Sequence, residues 1–161
     1  MSNMYIFADS QQDITYFPRN TASHFAIKLT KPVNLDSGAW GLAVKELRVH
    51  RESNVSGYYA LTIDCTQPFP SHGTENRVLR TFSLQKQKES KSTPVVTPDT
   101  LSRTSSKESQ HIEDIFDFNP GYYMPLHIRN INNLYVDILP VDGSPTDNII
   151  KIWCVLHLKQ L

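Results

Sequence analysis

Cysteine, glycine, an excess of either charge and long apolar runs are all scarce in this sequence, and each shortage closes off a class of protein. The two cysteines, Cys65 and Cys154, form neither a CxxC pair nor a disulfide-dense pattern, so both are expected to be reduced thiols. Lysine plus arginine (16) balances aspartate plus glutamate (16), which argues against a protein that holds nucleic acid by neutralising its phosphates. No apolar stretch approaches the roughly 20 residues of a membrane-spanning helix. The opening Met1-Ser2-Asn3-Met4 lacks the basic and apolar regions of a signal peptide. The expectation is therefore a soluble chain made inside a cell, with the Asn54-Val55-Ser56 sequon left bare. The six glycines form neither a GxGxxG nor a GxxxxGK[ST] phosphate loop.

Catalytic and metal-binding sets are missing as well. His24, His50, His72, His111, His127 and His157 are scattered, with no pair at i,i+4 or at a zinc-like spacing. They read as surface or interface histidines. No serine sits in a GxSxG elbow. Glu113, Asp114 and Asp117 lie close together, but without the spacing of a calcium loop they read as a solvated acidic face or a helix's first turn. No catalytic, cofactor or metal residue is assigned, and the chain is expected not to be an enzyme.

What is present is a period of two. Phe25, Ile27 and Leu29 share one side of a strand and His24, Ala26 and Lys28 the other, with Lys31-Pro32 expected to end it. After the turn chemistry of Asp36-Ser37-Gly38, the apolar set passes from Trp40, Leu42 and Val44 to Leu47 and Val49 on the opposite parity. A parity change inside one apolar run predicts a β-bulge or bend. Further strands are expected at 4–8, 58–63, 78–84, 133–139 and 149–158. The last is the clearest, with Ile150, Ile152, Cys154, Leu156 and Leu158 facing one way and Lys151, Trp153, Val155, His157 and Lys159 the other. On this parity Cys154 is a buried, inert thiol. Trp40 is expected to fill the core or cap its edge. Trp153 opposes the apolar row and faces either a second layer or a partner. Only 112–116 has helical spacing.

The length of 161 residues suits one domain, 1–161, able to bury roughly 68–70% of its unfolded surface. Many short strands with Pro/Gly turns predict an all-β sandwich or barrel. Residues 85–110 break the pattern. They are rich in Lys, Ser and Thr, with only Val95, Val96 and Leu101 as sizeable apolar residues. The segment reads as a polar surface loop or as an arm ordered by a neighbouring subunit.

Two segments carry a resemblance. The first runs from Met4-Tyr5-Ile6-Phe7 through Asn20-Thr21, Phe25-Ala26-Ile27-Lys28-Leu29, Lys31-Pro32 and Leu35 to Gly38-Ala39-Trp40-Gly41-Leu42-Ala43-Val44-Lys45-Glu46-Leu47. The second runs from Tyr123-Met124-Pro125 through Leu134-Tyr135-Val136-Asp137-Ile138 and Asp142-Gly143-Ser144-Pro145 to Leu156-His157-Leu158-Lys159. Together they resemble the opening and closing strands of the minor capsid (penton) proteins of Polinton/Maverick elements and related adintovirus-like and virophage-like viruses. That family's pattern is asparagine-threonine, F-x-[VI]-x-L, K-P, G-x-W-E-V-A-L-x-E-[IL] and a final L-H-[LF]-[KR] strand. Trp40-Gly41 stands where the family has W-E, and Val49-His50-Arg51 replaces its tyrosine-proline. The stretch from about 53 to 118 carries no resemblance.

The resemblance implies a single jelly-roll β-sandwich of about eight antiparallel strands. It also implies a homopentamer at the five-fold vertices of an icosahedral virion, contacting a double-jelly-roll major capsid protein. Such a chain is made in host cytoplasm and assembled there or in the nucleus. No cofactor, membrane span or specific nucleic-acid binding is expected of it. Two other readings remain open. One is a lectin-like or trimeric ligand-like binding module of viral or host origin, with Tyr58, Tyr59, Tyr122 and Tyr123 as the first places to look. The other is a hydrolase on a β-sandwich, which would need clustered histidine and acidic side chains.

Overall fold

Alternating burial is plainest over 78–84, 111–117 and 133–139 of the computed structural model, which describes residues 3–35, 37–66, 69–71, 74–87, 110–119 and 122–161. All regular elements among the described residues are strands: β1 (Asn3–Asp9), β2 (His24–Asn34), β3 (Trp40–Glu52), β4 (Gly57–Ile63), β5 (Phe69–Ser71), β6 (Thr74–Asn76), β7 (Val78–Leu84), β8 (His111–Asp117), β9 (Met124–Pro125), β10 (Asn130–Pro140) and β11 (Ile149–Gln160). They form two antiparallel sheets that face each other. The first has the order β1-β11-β3-β8, with β9 added beside β3, and the second the order β2-β10-β4-β7. The short strands β5 and β6 pair only with each other.

The order follows a simple nesting. β1 pairs with β11, β2 with β10, β3 with β8 and β4 with β7. The chain thus runs out and returns alongside itself, and successive long strands alternate between the sheets except at β4 and β7, where it turns back within the second sheet. The ribbon is closed by β11 against β3 and by β10 against β4. Side chains of one parity from each strand fill the space between the sheets, among them Phe25, Ile27, Leu42, Leu47, Leu61, Ile63, Leu134, Ile152 and Leu156, each no more than 1% exposed. Burying a side chain of this size stabilises by about 1.5–3 kcal/mol, so this layer supplies most of the driving force.

The parity change in β3 is a bulge. Val44 pairs with Leu156 but Glu46 with Val155, which leaves Lys45 as the extra, exposed residue. The two halves of the strand then both keep their apolar residues inside. Trp40 is buried in the core, as are Cys65 and Cys154, both free thiols.

Three expectations are corrected. Residues 112–116 are not helical: they lie in β8, an edge strand paired throughout with β3. Their apolar spacing misleads because Asp114, an inward-parity residue, pairs with Arg51, while Ile115 points outward and is 55% exposed. Lys31-Pro32 does not end β2, which continues to Asn34. Pro32 is accommodated because β2 is an edge strand with a bulge: Val33 pairs with Ile131 and Lys28 with Asn133, leaving 29–32 unmatched. On β11 the inward series begins at Ile152, not Ile150. A register shift between Ile149 and Lys151 buries Ile149 and leaves Ile150 half-buried.

Arg51 organises one end of the sandwich. Its guanidinium is buried, with Nε 2.5 Å from Asp114 Oδ2, Nη1 donating to Val55 O at 2.8 Å and Nη2 donating to Gln85 O at 2.9 Å. Ser53 adds two backbone bonds, donating to Gln110 O and accepting from Gln87 N. Both stems of the polar segment at 85–110 are therefore tied to the β3–β4 turn. The remainder of that expected loop or arm, 88–109, lies outside the described residues.

Candidate interaction surface

The outer face of the β1-β11-β3-β8 sheet carries a dense set of polar and aromatic side chains. Pairing places Tyr5 beside His157, Asp9 beside Trp153, Trp153 beside Arg48, Lys151 beside His50, and His50 beside Glu113. All share the outward parity, so the alternation that builds the core also assembles this face.

At one end, the rings of Tyr5 and His157 stack with centroids 4.6 Å apart. The hydroxyl of Tyr123 lies 2.7 Å from His157 Nδ1. Tyr123 precedes β9 and covers Gly41, where a Cβ would come within 2.7 Å of the Tyr123 Cβ. The absence of a side chain at Gly41 thus lets an aromatic pack directly over β3. Lys45 lies over the Tyr5 ring and Lys159 over the Tyr123 ring, at 5.3 and 5.6 Å. His157 has outward parity yet is only 9% exposed, because the two tyrosines enclose it. Its Nε2 is buried without a hydrogen-bond partner. Burial first, then the charges of Lys45 and Lys159, hold its pKa below the usual histidine value.

At the other end, the Arg48 guanidinium sits 4.9 Å over Trp153, which also meets Phe7 at 6.0 Å. Glu46 accepts from Arg48 Nε, and Lys151 pairs with Asp9 at 2.8 Å. Asp9, Arg48, His50, Glu113, Lys151 and Trp153 border a shallow depression of about 470 Å³. Trp153 therefore faces away from the core, half-covered by its own sheet's cation.

The remaining sequence candidates are dispersed. His24 pairs with Asp137 on the outer face of the other sheet, and His50 meets His111 edge-on at 5.3 Å. His127 lies within hydrogen-bond distance of Thr66 O, and His72 lies outside the described residues. Glu113 and Asp117 point outward on β8, whereas Asp114 is turned inward to Arg51, so the acidic trio does not converge. No group of three or more His, Cys, Asp or Glu able to hold a metal is found among the described residues. The four tyrosines do not form one site. Tyr59 is in the core, Tyr58 is exposed on the opposite sheet, and Tyr122 and Tyr123 directly precede β9. Missed in the sequence were Tyr5, Lys45, Arg48 and Arg51; for the first three, strand parity was the available signal. No helix among the described residues is long and apolar enough to cross a membrane.

Compared with known proteins, the chain matches no family model, no curated protein and no solved structure.

Proposed function

We propose that this sandwich is a single jelly roll and that the chain is a structural capsid protein, five copies of which surround each five-fold vertex of an icosahedral virion. The observation that carries the reading is strand order. Eight long strands taken in sequence give two sheets of the order first-eighth-third-sixth and second-seventh-fourth-fifth. That order supports the reading, since a jelly roll is a double-sheet sandwich of eight strands wound as two Greek keys, an architecture used by viral capsid and lectin domains. The terminal motifs that resemble penton proteins lie on β1 to β3 and on β9 to β11, and so supply one edge (β1) and both central strands (β11 and β3) of the first sheet. Zero net charge limits repulsion among copies crowded at a vertex.

In this role the chain makes self-contacts around the ring and outer contacts to a double-jelly-roll major capsid protein. Sedimentation of the purified protein tests it: a five-fold mass supports the reading, and a strict monomer at high concentration refutes it. The aromatic and cationic face around Tyr5, His157 and Trp153 favours a second reading, a jelly-roll binding module. A glycan array distinguishes the two, since that reading requires saturable binding lost on Trp153→Ala.

A further inference from the structure

The two lateral sides of the sandwich are built differently, and the difference assigns them to each other. On the β7–β8 side the seam between the sheets is closed by aromatic rings: Phe82 meets Phe116 at 5.5 Å, and Phe116 stacks on Phe118 at 6.3 Å. On the β1–β2 side the seam is open. A groove of about 660 Å³ runs between β1 and the bulged half of β2, with Met4, Ile6, Leu29 and Val33 among its walls and Lys28 and Lys31 also lining it. Met4 is 37% exposed there.

Edge protection is also uneven. Along the first half of β2, side chains of the preceding connection occupy the free edge. Asn20 exchanges two 2.9 Å bonds with the backbone of Ala26, and Asp13 accepts from Lys28 N at 2.7 Å. Such capping keeps an edge from templating another strand. In β1 only the β11 side is paired, and the groove lies beside its other side.

The opposite side of the molecule offers the complement. β8 is the other edge of the same sheet, and it presents Ile115, 55% exposed, between the outward carboxylates of Glu113 and Asp117. An apolar side chain flanked by acids matches an apolar groove flanked by lysines.

We propose that the β1–β2 groove of one copy receives the β8 edge of a second copy, with Ile115 entering the groove and Glu113 and Asp117 meeting Lys28 and Lys31. The two surfaces lie on opposite sides of one chain, so the contact is head-to-tail and repeats from copy to copy until rotation closes a ring. The inference rests on the self-assembling reading and names the surfaces that reading leaves open.

Two variants of the full chain test it. One carries Met4→Asp with Lys31→Glu and spoils only the groove; the other carries Ile115→Asp and spoils only the β8 edge. Analytical ultracentrifugation is expected to find each variant alone as a monomer, with circular dichroism like that of the wild type. An equimolar mixture is expected to form a 1:1 dimer, because each chain retains the half that the other lacks. A mixture that stays monomeric overturns the head-to-tail pairing. A ring-forming wild type whose variants still form rings overturns the assignment of surfaces while leaving self-assembly standing. A monomeric wild type overturns both.

Discussion

The Tyr123 hydroxyl and His157 Nδ1 lie 2.7 Å apart, and this bond links the residue before β9 to the central strand of the first sheet. It fixes the ring of His157 beneath Tyr5 while leaving Nε2 buried without a partner. The imidazole is held neutral by burial and by Lys45 and Lys159. Protonating it in the fold costs more than protonating it in the unfolded chain.

The sign of the resulting pH dependence follows. The folded pKa lies below the ordinary 6.5, so the unfolded state takes up the proton first as pH falls. Stability contributed by His157 is complete above about pH 6.5 and declines from there down to the lowered folded value. Urea melts at pH 7.5 and pH 5 should show a larger acid loss for the wild type than for His157→Phe. That variant keeps a ring against Tyr5 and stays within about 1 kcal/mol of the wild type at pH 7.5, because one modest hydrogen bond is exchanged for relief of a buried orphan nitrogen. Equal acid slopes in the two proteins would remove His157 as the source.

How far the sequence foretold this arrangement depended on which strands keep a simple alternation. In β10, Leu134, Val136 and Ile138 are buried as the period of two requires, and the β3 bulge was visible as a parity change. β8 was not legible, because its inward row contains Asp114 and its outward row Ile115. The reason for that inversion is Arg51, sixty-three positions away in the chain. Pro32 was misread because an edge strand with a bulge tolerates a missing donor that a central strand would not. The outer-face set was half legible. Parity placed Trp153 and His157 on one side of β11, but only pairing with β1 and β3 shows that Tyr5, Lys45 and Arg48 cover them.

Arg51 should be the most sensitive polar position in the fold. It is 1% exposed, and its removal strands the carbonyls of Val55 and Gln85 together with the Asp114 carboxylate. Arg51→Ala is expected to destabilise by about 3 kcal/mol, the lower end for a buried pair, since Asp114 remains partly solvated. Asp114→Asn should cost clearly less. Chemical denaturation of the three proteins checks the order, and equal costs would show that the carbonyl contacts contribute little.

Neither cysteine should react in the folded protein. Cys65 and Cys154 are both 0% exposed, and burial pushes each thiol up to about 12. At pH 8 almost no thiolate forms, and a reagent has no path to it. An aromatic disulfide reagent should therefore titrate no thiol in native protein over minutes and two after guanidinium is added. A single fast thiol would show that one end of the core opens readily.

Gly41 provides the sharpest test of the packing above the first sheet. Its backbone accepts any residue, but a Cβ there would lie 2.7 Å from the Tyr123 Cβ, an atom tied directly to the backbone before β9. The two Leu161 methyl carbons, at 3.1 and 3.2 Å, belong to a side chain that can turn aside. Gly41→Ala should therefore cost about 1–3 kcal/mol through overpacking. In a Tyr123→Gly background the same change should cost much less, because the atom it strikes is gone. A double-mutant cycle by urea denaturation measures that difference as a coupling energy. A coupling near zero would mean that β9 shifts freely. Tyr123 would then be a loose cover over His157, and the low His157 pKa would have to be maintained by Tyr5 and the two lysines alone.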